Sequence, residues 1–190
     1  MILALTGVPG TGKSAVARAL GAHGWQVLDL NAWIRGPGSR EPGVVLGRDP
    51  QRDSLEVDER ALARALERTL RSAHADLVVE GHLAHHLVPL DFVVVLRCAP
   101  SELRRRLAAR GWPPEKAAEN AEAEALDVIT AEVAELRTRE LLCAEFDTTG
   151  RDAASLAAEI DALARRPTAE ALNAHPLGAC DWSDEVMSWY

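Results

Sequence analysis

The sequence has 190 residues, 47% of them hydrophobic and 26% charged, which is typical of one globular domain with a substantial core. Its formal net charge of −8 argues against binding of polyanions over the whole surface, although it is compatible with a single basic groove. Three widely spaced cysteines exclude a disulfide framework, and the lack of a signal peptide or a membrane-length apolar run leads us to expect a cytoplasmic protein without membrane partners.

The beginning of the chain holds its most specific motif. A short apolar run leads directly into Gly-x4-Gly-Lys-Ser, the phosphate-binding P-loop, at residues 7–14. Gly10 and Gly12 allow backbone N–H groups to approach phosphate oxygens closely. Lys13 adds a mobile positive charge, and the Ser14 hydroxyl is placed to bind Mg²⁺. The sequence therefore predicts binding of a nucleoside triphosphate.

Apolar residues along the chain alternate between short β-type runs and longer helical runs, a pattern typical of a parallel sheet covered by helices. Val93–Leu96 is a continuous apolar run, as expected of a central strand buried on both faces. In chain order we predict strand Ile2–Thr6, helix Lys13–Gly21, strand Trp25–Leu28, helix Asp58–Ser72, strand Leu77–Glu80, strand Phe92–Arg97, helix Ser101–Arg110, helix Pro114–Leu136, strand Ala144–Thr148 and helix Asp152–Arg165.

Two segments interrupt this alternation. Residues 36–55 are rich in Gly, Pro and charge, and they are too long for an ordinary connection. Residues 109–116 form a shorter break between two helices. Inserts at such places commonly hold a second substrate or close over the first. Arg35 and Arg40 can bind the phosphate of an acceptor there, and Asp29, at the end of the second strand, is placed to bound the same pocket.

The third predicted strand ends in Glu80-Gly81-His82, and the carboxyl ends of parallel strands face the ligand crevice. Glu80 is a candidate partner of the metal opposite the P-loop, although it could instead cap a helix or pair with an arginine. His82 is a candidate for orienting a water molecule or a phosphate. The run His-Leu-Ala-His-His that it begins has metal-ligand spacing only in a helix, and no carboxylate clusters around it in the sequence. We therefore predict no transition-metal site in this run.

Arginines gather beside the second interrupting segment, and phosphoryl transfer depends mainly on positioning and positive charge. Arg106 and Arg110 are four residues apart and share a helix face. Arg110 is placed to close over a bound nucleotide, whereas Arg104 and Arg105 fit a solvated helix face equally well. Arg151, after the last strand, is expected to contact the adenine side of a donor.

The ordered motifs resemble the atypical adenylate kinase isoenzyme six family, also called the coilin-interacting nuclear ATPase group, in its archaeal branch. The P-loop alone would indicate only an NTPase, but the resemblance extends to about Ile160 and is carried by Gly7–Ser14, Glu56–Glu59, Val79–His85, Leu96–Cys98, Arg106–Trp112, Glu119–Asp127 and Asp147–Gly150.

The resemblance implies an α/β P-loop NTPase fold, a three-layer sandwich with a five-stranded parallel sheet. It implies a kinase domain over residues 1–166, with a short monophosphate-binding insert at 29–55 and a short lid at 109–119. Residues 167–190 then form a C-terminal tail outside the family pattern.

The implied activity is reversible transfer of the γ-phosphoryl group of MgATP to AMP, together with slow ATPase activity. Glu80 and His82 match an acidic-x-His pair in which eukaryotic members have Asp, and the longer glutamate allows a water-mediated metal contact. Arg110 matches the catalytic lid arginine, and Arg151 matches a further nucleotide contact. The residues that match the family's triphosphate contacts are Gly10, Gly12, Lys13, Ser14 and Ala15.

The resemblance also implies a role in small-subunit ribosome maturation, with processing of 16S rRNA and binding of ribosomal protein uS11 and the small-subunit precursor. Direct sequence-specific binding of nucleic acid is not expected. Two alternatives remain open: an ATP-driven ribosome-assembly switch with incidental kinase activity, and a P-loop kinase of another small acceptor. The insert arginines separate the first alternative from a kinase, since a switch has no need of Arg35 and Arg40 in an acceptor pocket.

Overall fold

A computed structural model describes residues 1–49, 54–136 and 141–189. Two short 3-10 helices, Pro37–Arg40 and Ala84–His86, accompany the main elements. Those elements are β1 (Ile2–Thr6), α1 (Lys13–Ala22), β2 (Gln26–Asp29), α2 (Leu30–Arg35), β3 (Val45–Asp49), β4 (Ser54–Val57), α3 (Glu59–Arg71), β5 (Leu77–Glu80), β6 (Phe92–Arg97), α4 (Pro100–Ala109), α5 (Pro114–Ala125), α6 (Val128–Leu136), β7 (Leu142–Asp147), α7 (Ala153–Arg165), α8 (Ala169–Asn173) and α9 (Ser183–Met187).

Five strands form the main sheet of the described ranges, in the order β2-β5-β1-β6-β7 with every neighbouring pair parallel. The chain therefore runs from the centre of the sheet at β1 to one edge at β2, and then across to the other edge at β7. The carboxyl ends of β1, β5 and β6 lie side by side. Ligands of such sheets bind at this edge. The predicted α/β P-loop fold with a five-stranded parallel sheet is confirmed.

Helices cover both faces of the sheet, so the central strands are buried throughout. In β1, Leu3 and Leu5 pack into a core cluster with α1 and α7, whereas Ala4 belongs to a cluster on the opposite face with α3. This alternation follows from the two-residue period of a strand. Burial on both faces explains why β1 and β6 appear in the sequence as uninterrupted apolar runs.

The five predicted strands are present, and their ends agree with the prediction to within two residues. The prediction of one helix over Pro114–Leu136 is wrong, because α5 ends at Ala125 and α6 begins at Val128. The chain turns at Asp127, whose φ of 54° is incompatible with a continuous helix. The Asp127 carboxylate pairs with the guanidinium of Arg97, which fixes the turn against β6.

The segment predicted as an insert, residues 29–55, is more regular than its composition indicates. It contains α2 and the 3-10 helix, and β3 pairs with β4 as an antiparallel ribbon. Residues 50–53 of this segment lie outside the described residues. Asp29 begins α2 as its N-cap, because its carboxylate accepts a hydrogen bond from the backbone N–H of Ala32 at 2.9 Å.

The segment after residue 166 packs along the edge strand β7. The backbone N–H of Glu145 donates to the carbonyl of His175, and the Glu145 carboxylate accepts hydrogen bonds from the backbone N–H groups of Gly178 and Cys180. These contacts cover an otherwise open sheet edge. None of the helices in the described ranges combines the length and the apolar character that a membrane crossing requires.

Candidate active site

The P-loop forms a tight connection between β1 and α1. Gly10 and Gly12 have φ values of 100° and 101°, a region that residues with a side chain rarely adopt. A Cβ on Gly10 would lie 2.7 Å from Cδ1 of Leu103, so helix α4 packs directly on the loop backbone. Glycine is therefore required at this position by both conformation and space.

Lys13, the first residue of α1, is buried within the loop. Its ammonium group donates hydrogen bonds to the carbonyl oxygens of Gly7 at 2.7 Å and Val8 at 2.9 Å. Its pKa is lowered from 10.5 to about 8, chiefly by burial and in smaller part by Arg110, while Glu80 and Glu124 oppose the shift. The loop thus concentrates positive charge where a phosphate group would lie.

Ser14 and Glu80 meet across the loop, where the Ser14 hydroxyl donates to Oε1 of Glu80 at 2.7 Å. Burial raises the pKa of the Glu80 carboxyl above its usual value, and the nearby Asp29 carboxylate acts in the same direction. A hydroxyl and carboxylates are hard oxygen ligands of the kind that Mg²⁺ prefers. The donor set present here therefore fits a magnesium ion.

His82 follows β5 at the edge of the same site. Burial lowers its pKa to about 4, and the nearby Lys13 ammonium group contributes in the same direction. Its imidazole is therefore neutral near pH 7 and can donate or accept a hydrogen bond. The structure does not make it a positively charged phosphate ligand.

One cleft of about 920 Å³ unites the P-loop with the insert and with the connection between α4 and α5. Its volume lies in the upper part of the range of ligand pockets, roughly 300–1,000 Å³. The cleft brings together most of the sequence-predicted site residues: Gly10, Gly12, Lys13, Ser14, Ala15, Asp29, Arg35, Glu80, His82 and Arg110.

Two predicted residues lie elsewhere. Arg40 is exposed at the end of the Pro37–Arg40 helix, and Arg151 is exposed after β7, where it pairs with Glu159. Neither is among the described residues that line the cleft.

Arg35 and Arg110 differ from the arginines around them. Both line the cleft, and the guanidinium group of neither forms a hydrogen bond or an ion pair with any residue in the described part of the chain. By contrast, Arg105 and Arg106 both pair with Glu102. The two cleft arginines therefore hold guanidinium groups that remain available to anionic ligands.

Arg106 is a functional candidate that the sequence placed on one helix face with Arg110 but to which it assigned no role. Its guanidinium donates to the side chain and the backbone carbonyl of Thr148 at 3.1 and 2.8 Å. Its Nη1 lies 4.0 Å from the position that a Cβ on Gly12 would occupy, so its charge borders the P-loop. The four-residue spacing from Arg110 was the available signal. Arg106 itself is not among the described residues that line the cleft; lining residues to which the sequence assigned no role include Leu55, Val57, Trp112, Lys116 and Asn120.

Comparisons with known proteins place the chain among AAA domains. Residues 3–127 match the family AAA_18, described as an AAA domain. A protein of Natronomonas pharaonis named "Putative adenylate kinase" is 45% identical over 163 residues, which cover 86% of this chain and 89% of the relative. A protein of Methanosarcina acetivorans with the same name is 34% identical over 195 residues, covering 98% of this chain and all of the relative. Both relatives are archaeal, in agreement with the resemblance.

The fold is shared with solved structures of small-molecule kinases. The structure of shikimate kinase from Acinetobacter baumannii superposes with a TM-score of 0.55 at 22% identity, and the match covers 88% of this chain and 94% of that one. At this identity the likeness concerns the fold alone. It agrees with the parallel sheet and P-loop described above.

Proposed function

Since the chain belongs to the AAA_18 family and is related to the two archaeal proteins named above, we propose that it is a nucleoside monophosphate kinase that transfers the γ-phosphoryl group of MgATP to AMP. The observation that carries this proposal is the single cleft, in which the P-loop faces an insert that presents Arg35. A site for hydrolysis alone has no acceptor phosphate for Arg35 to bind.

The donor nucleotide is proposed to bind at the P-loop. Backbone N–H groups around Gly10 and Gly12 and the ammonium group of Lys13 would hold its phosphates. Ser14 and Glu80 would hold Mg²⁺, which when bound neutralises charge on the phosphate oxygens. The contact of Glu80 with Ser14 also fixes the Ser14 hydroxyl toward the metal position.

The acceptor is proposed to bind between α2 and the β3–β4 ribbon. Arg35 would bind the phosphate of AMP, while Leu55 and Val57 offer apolar surface to the base and Asp29 bounds the pocket. The acceptor phosphate already carries a nucleophilic oxygen, so the reaction requires no general base. The protein's contribution is to hold the two phosphate groups in line.

The segment 109–119, which comprises the connection between α4 and α5 and the beginning of α5, is proposed to act as the lid. Arg110 ends α4 and lies close enough to Lys13 to lower the pKa of its ammonium group. From there it would offset charge on the transferring group and help to exclude water. Slow ATPase activity is the expected result of incomplete exclusion. A role in small-subunit ribosome maturation stays a prediction from the resemblance.

Replacement of Arg35 by alanine tests the proposal. We expect the KM for AMP to rise roughly 10- to 100-fold, the range for loss of charge-assisted hydrogen bonds, while ATP affinity changes less than about twofold. Arg64→Ala is the matched control, because Arg64 is exposed on α3 and away from the cleft lining. An Arg35→Ala variant that phosphorylates AMP normally would contradict the acceptor assignment. Phosphate release that no monophosphate stimulates, even in the unmodified protein, would favour the assembly switch.

A further inference from the structure

Two neighbouring histidines meet two glutamates behind the candidate active site. His85 and His86 lie in the 3-10 turn Ala84–His86 that follows β5. Glu132 comes from the middle of α6, and Glu59 is the first residue of α3. The sequence around the histidines contains no carboxylate cluster, but the fold brings these two carboxylates to them from 27 and more than 40 positions away.

The donor atoms of this cluster are close to one another. Nε2 of His85 lies 3.0 Å from Oε2 of Glu132, and Nδ1 of His86 lies 3.6 Å from Oε2 of Glu59. One donor atom each of His85, His86 and Glu132 can be chosen so that all three lie within 4.8 Å of one another. Ligand atoms of a tetrahedral Zn²⁺ site with bonds of 2.0–2.1 Å are separated by roughly 3.3 Å. Small side-chain rotations therefore suffice to surround an ion.

Thr6 positions the His85 ring for this role. The Thr6 hydroxyl donates to the carbonyl of His82 at 3.3 Å, and its Oγ1 lies 2.9 Å from Nδ1 of His85. In the tautomer in which the Thr6 hydroxyl hydrogen goes to the His82 carbonyl, Oγ1 accepts from Nδ1–H of His85, and Nε2 presents its lone pair to Glu132 Oε2. A cation between these two acceptors satisfies both. A hydrogen bond from the second ring nitrogen to a neighbouring oxygen is also the usual support of a metal-binding histidine.

The cluster is separate from the nucleotide cleft but remains accessible. None of its four side chains is among the described residues that line the cleft. The His85 side chain is fully buried, whereas those of Glu132 and Glu59 are 42% and 49% exposed. An ion can therefore enter from the glutamate side and bind against the buried imidazole.

The geometry points to a previously unassigned site for one Zn²⁺ ion, or a similar first-row divalent metal, bound by His85, His86 and Glu132. Glu59 closes the site from α3, directly or through a water molecule. Two imidazoles with a carboxylate are ligands that such metals prefer over Mg²⁺ or Ca²⁺. The bound ion would connect the turn after β5 to α3 and α6, which are distant from it in sequence. Its role would therefore be structural.

Metal titration of the purified full-length chain, stripped of metal and free of nucleotide, tests this site. We expect one equivalent of Co²⁺ to give the visible absorption of a four-coordinate complex, and one equivalent of Zn²⁺ to displace it and to raise the Tm. His86→Ala and Glu132→Gln should each weaken binding at least tenfold; both side chains are partly exposed, so both variants are expected to fold. The controls are His74→Ala, at an exposed histidine after α3, and Ser14→Ala in the P-loop.

The proposal fails if the unmodified chain binds no stoichiometric Co²⁺ or Zn²⁺, whatever the variants do. It also fails if binding survives in folded His86→Ala and Glu132→Gln variants, or if Ser14→Ala alone abolishes it, which would locate the metal in the nucleotide cleft. The readout is metal stoichiometry and not phosphoryl transfer, so it is independent of the outcome for the proposed kinase activity.

Discussion

The ammonium group of Lys13, which is proposed to bind phosphate, is buried, and burial of its charge is energetically unfavourable. Its pKa of about 8 in the folded chain, against 10.5 in solution, corresponds to about 3 kcal/mol spent on burying the charge. The unfolded chain binds more protons than the folded chain between these two values. The contribution of Lys13 to stability therefore rises with pH from about 8 to 10.5, and its full cost is present at pH 7.

Lys13→Met should accordingly abolish ATP binding without destabilising the nucleotide-free protein. The relieved burial cost is offset by the loss of hydrogen bonds to Gly7 and Val8, which contribute about 1–3 kcal/mol. Urea unfolding at pH 7 and across the window above pH 8 provides the measurement. The prediction is contradicted if the variant is much less stable than the parent at pH 7, or if its free energy of unfolding still rises between pH 8 and 10.5. Either result would show that burial of the Lys13 charge does not destabilise the folded chain.

Glu80→Gln tests the proposed metal role of the carboxylate. A glutamine can keep the hydrogen bond with Ser14 but loses the negative charge, so we expect a higher Mg²⁺ concentration for half-maximal activity and a lower kcat. Glu170→Gln, at an exposed position on α8, is the control for a change of net charge alone. An unchanged Mg²⁺ requirement in Glu80→Gln would remove Glu80 from the metal site.

At the level of elements, the contact between the P-loop and α4 gives Gly10 a structural role in addition to its proposed role in phosphate binding. Gly10→Ala places a Cβ 2.7 Å from Leu103, whereas Gly24→Ala has a similar φ of 93° but meets nothing within 4 Å. Both variants carry the backbone strain, so their difference measures the clash. We expect Gly10→Ala to be less stable than Gly24→Ala by about 1–3 kcal/mol in urea unfolding. Equal stabilities would mean that α4 moves away freely.

The sequence predicted those elements whose pattern is local. The uninterrupted apolar runs of β1 and β6 and the four-residue stripe of α3 are set by burial against neighbouring layers, and their bounds agree closely with the structure. The β3–β4 ribbon was missed because its residues are embedded among glycines, prolines and charges. The break between α5 and α6 was missed because apolar spacing continues across it, while its cause, the pairing of Asp127 with Arg97, is tertiary.

The residues of the candidate site also fall into those that a local sequence pattern predicts and those that depend on tertiary packing. Gly10, Lys13 and Ser14 carry a motif whose spacing specifies their geometry, and Glu80 could be placed from its position at a strand end. The contact of Arg106 with Thr148 depends on how α4 packs against the end of β7, so the sequence could place Arg106 on the face of Arg110 but could not assign it a role. The carboxylates of the histidine cluster are far from the histidines in sequence and could be found only in the folded chain.

At the level of the whole molecule, one buried arginine of β6 connects this strand to α5, to β7 and to the turn between α5 and α6. Arg97, at the end of β6, is 1% exposed and donates to Glu124 of α5 at 2.6 Å and to Glu145 of β7 at 3.2 Å. It also pairs with Asp127, while Trp182 of the tail donates to Glu124 at 3.3 Å. The tail is thereby linked to the helix that follows the proposed lid.

Arg97→Met should destabilise the protein by about 3–5 kcal/mol, because it leaves two buried carboxylates without their cation. Arg105→Met removes an arginine whose pair with Glu102 is exposed, and it should leave the free energy of unfolding nearly unchanged. Chemical denaturation of the two variants gives the comparison. Similar small losses for both would show that solvent, and not Arg97, compensates the buried carboxylates.

We propose that the cleft holds two nucleotides and that a phosphoryl group is transferred between them. The most direct measurement is formation of ADP by the purified protein with MgATP, supplied in turn with AMP, with each other nucleoside monophosphate, and with none. We expect rapid ADP formation that depends on AMP. Slow phosphate release at the same rate with every monophosphate and with none would contradict it.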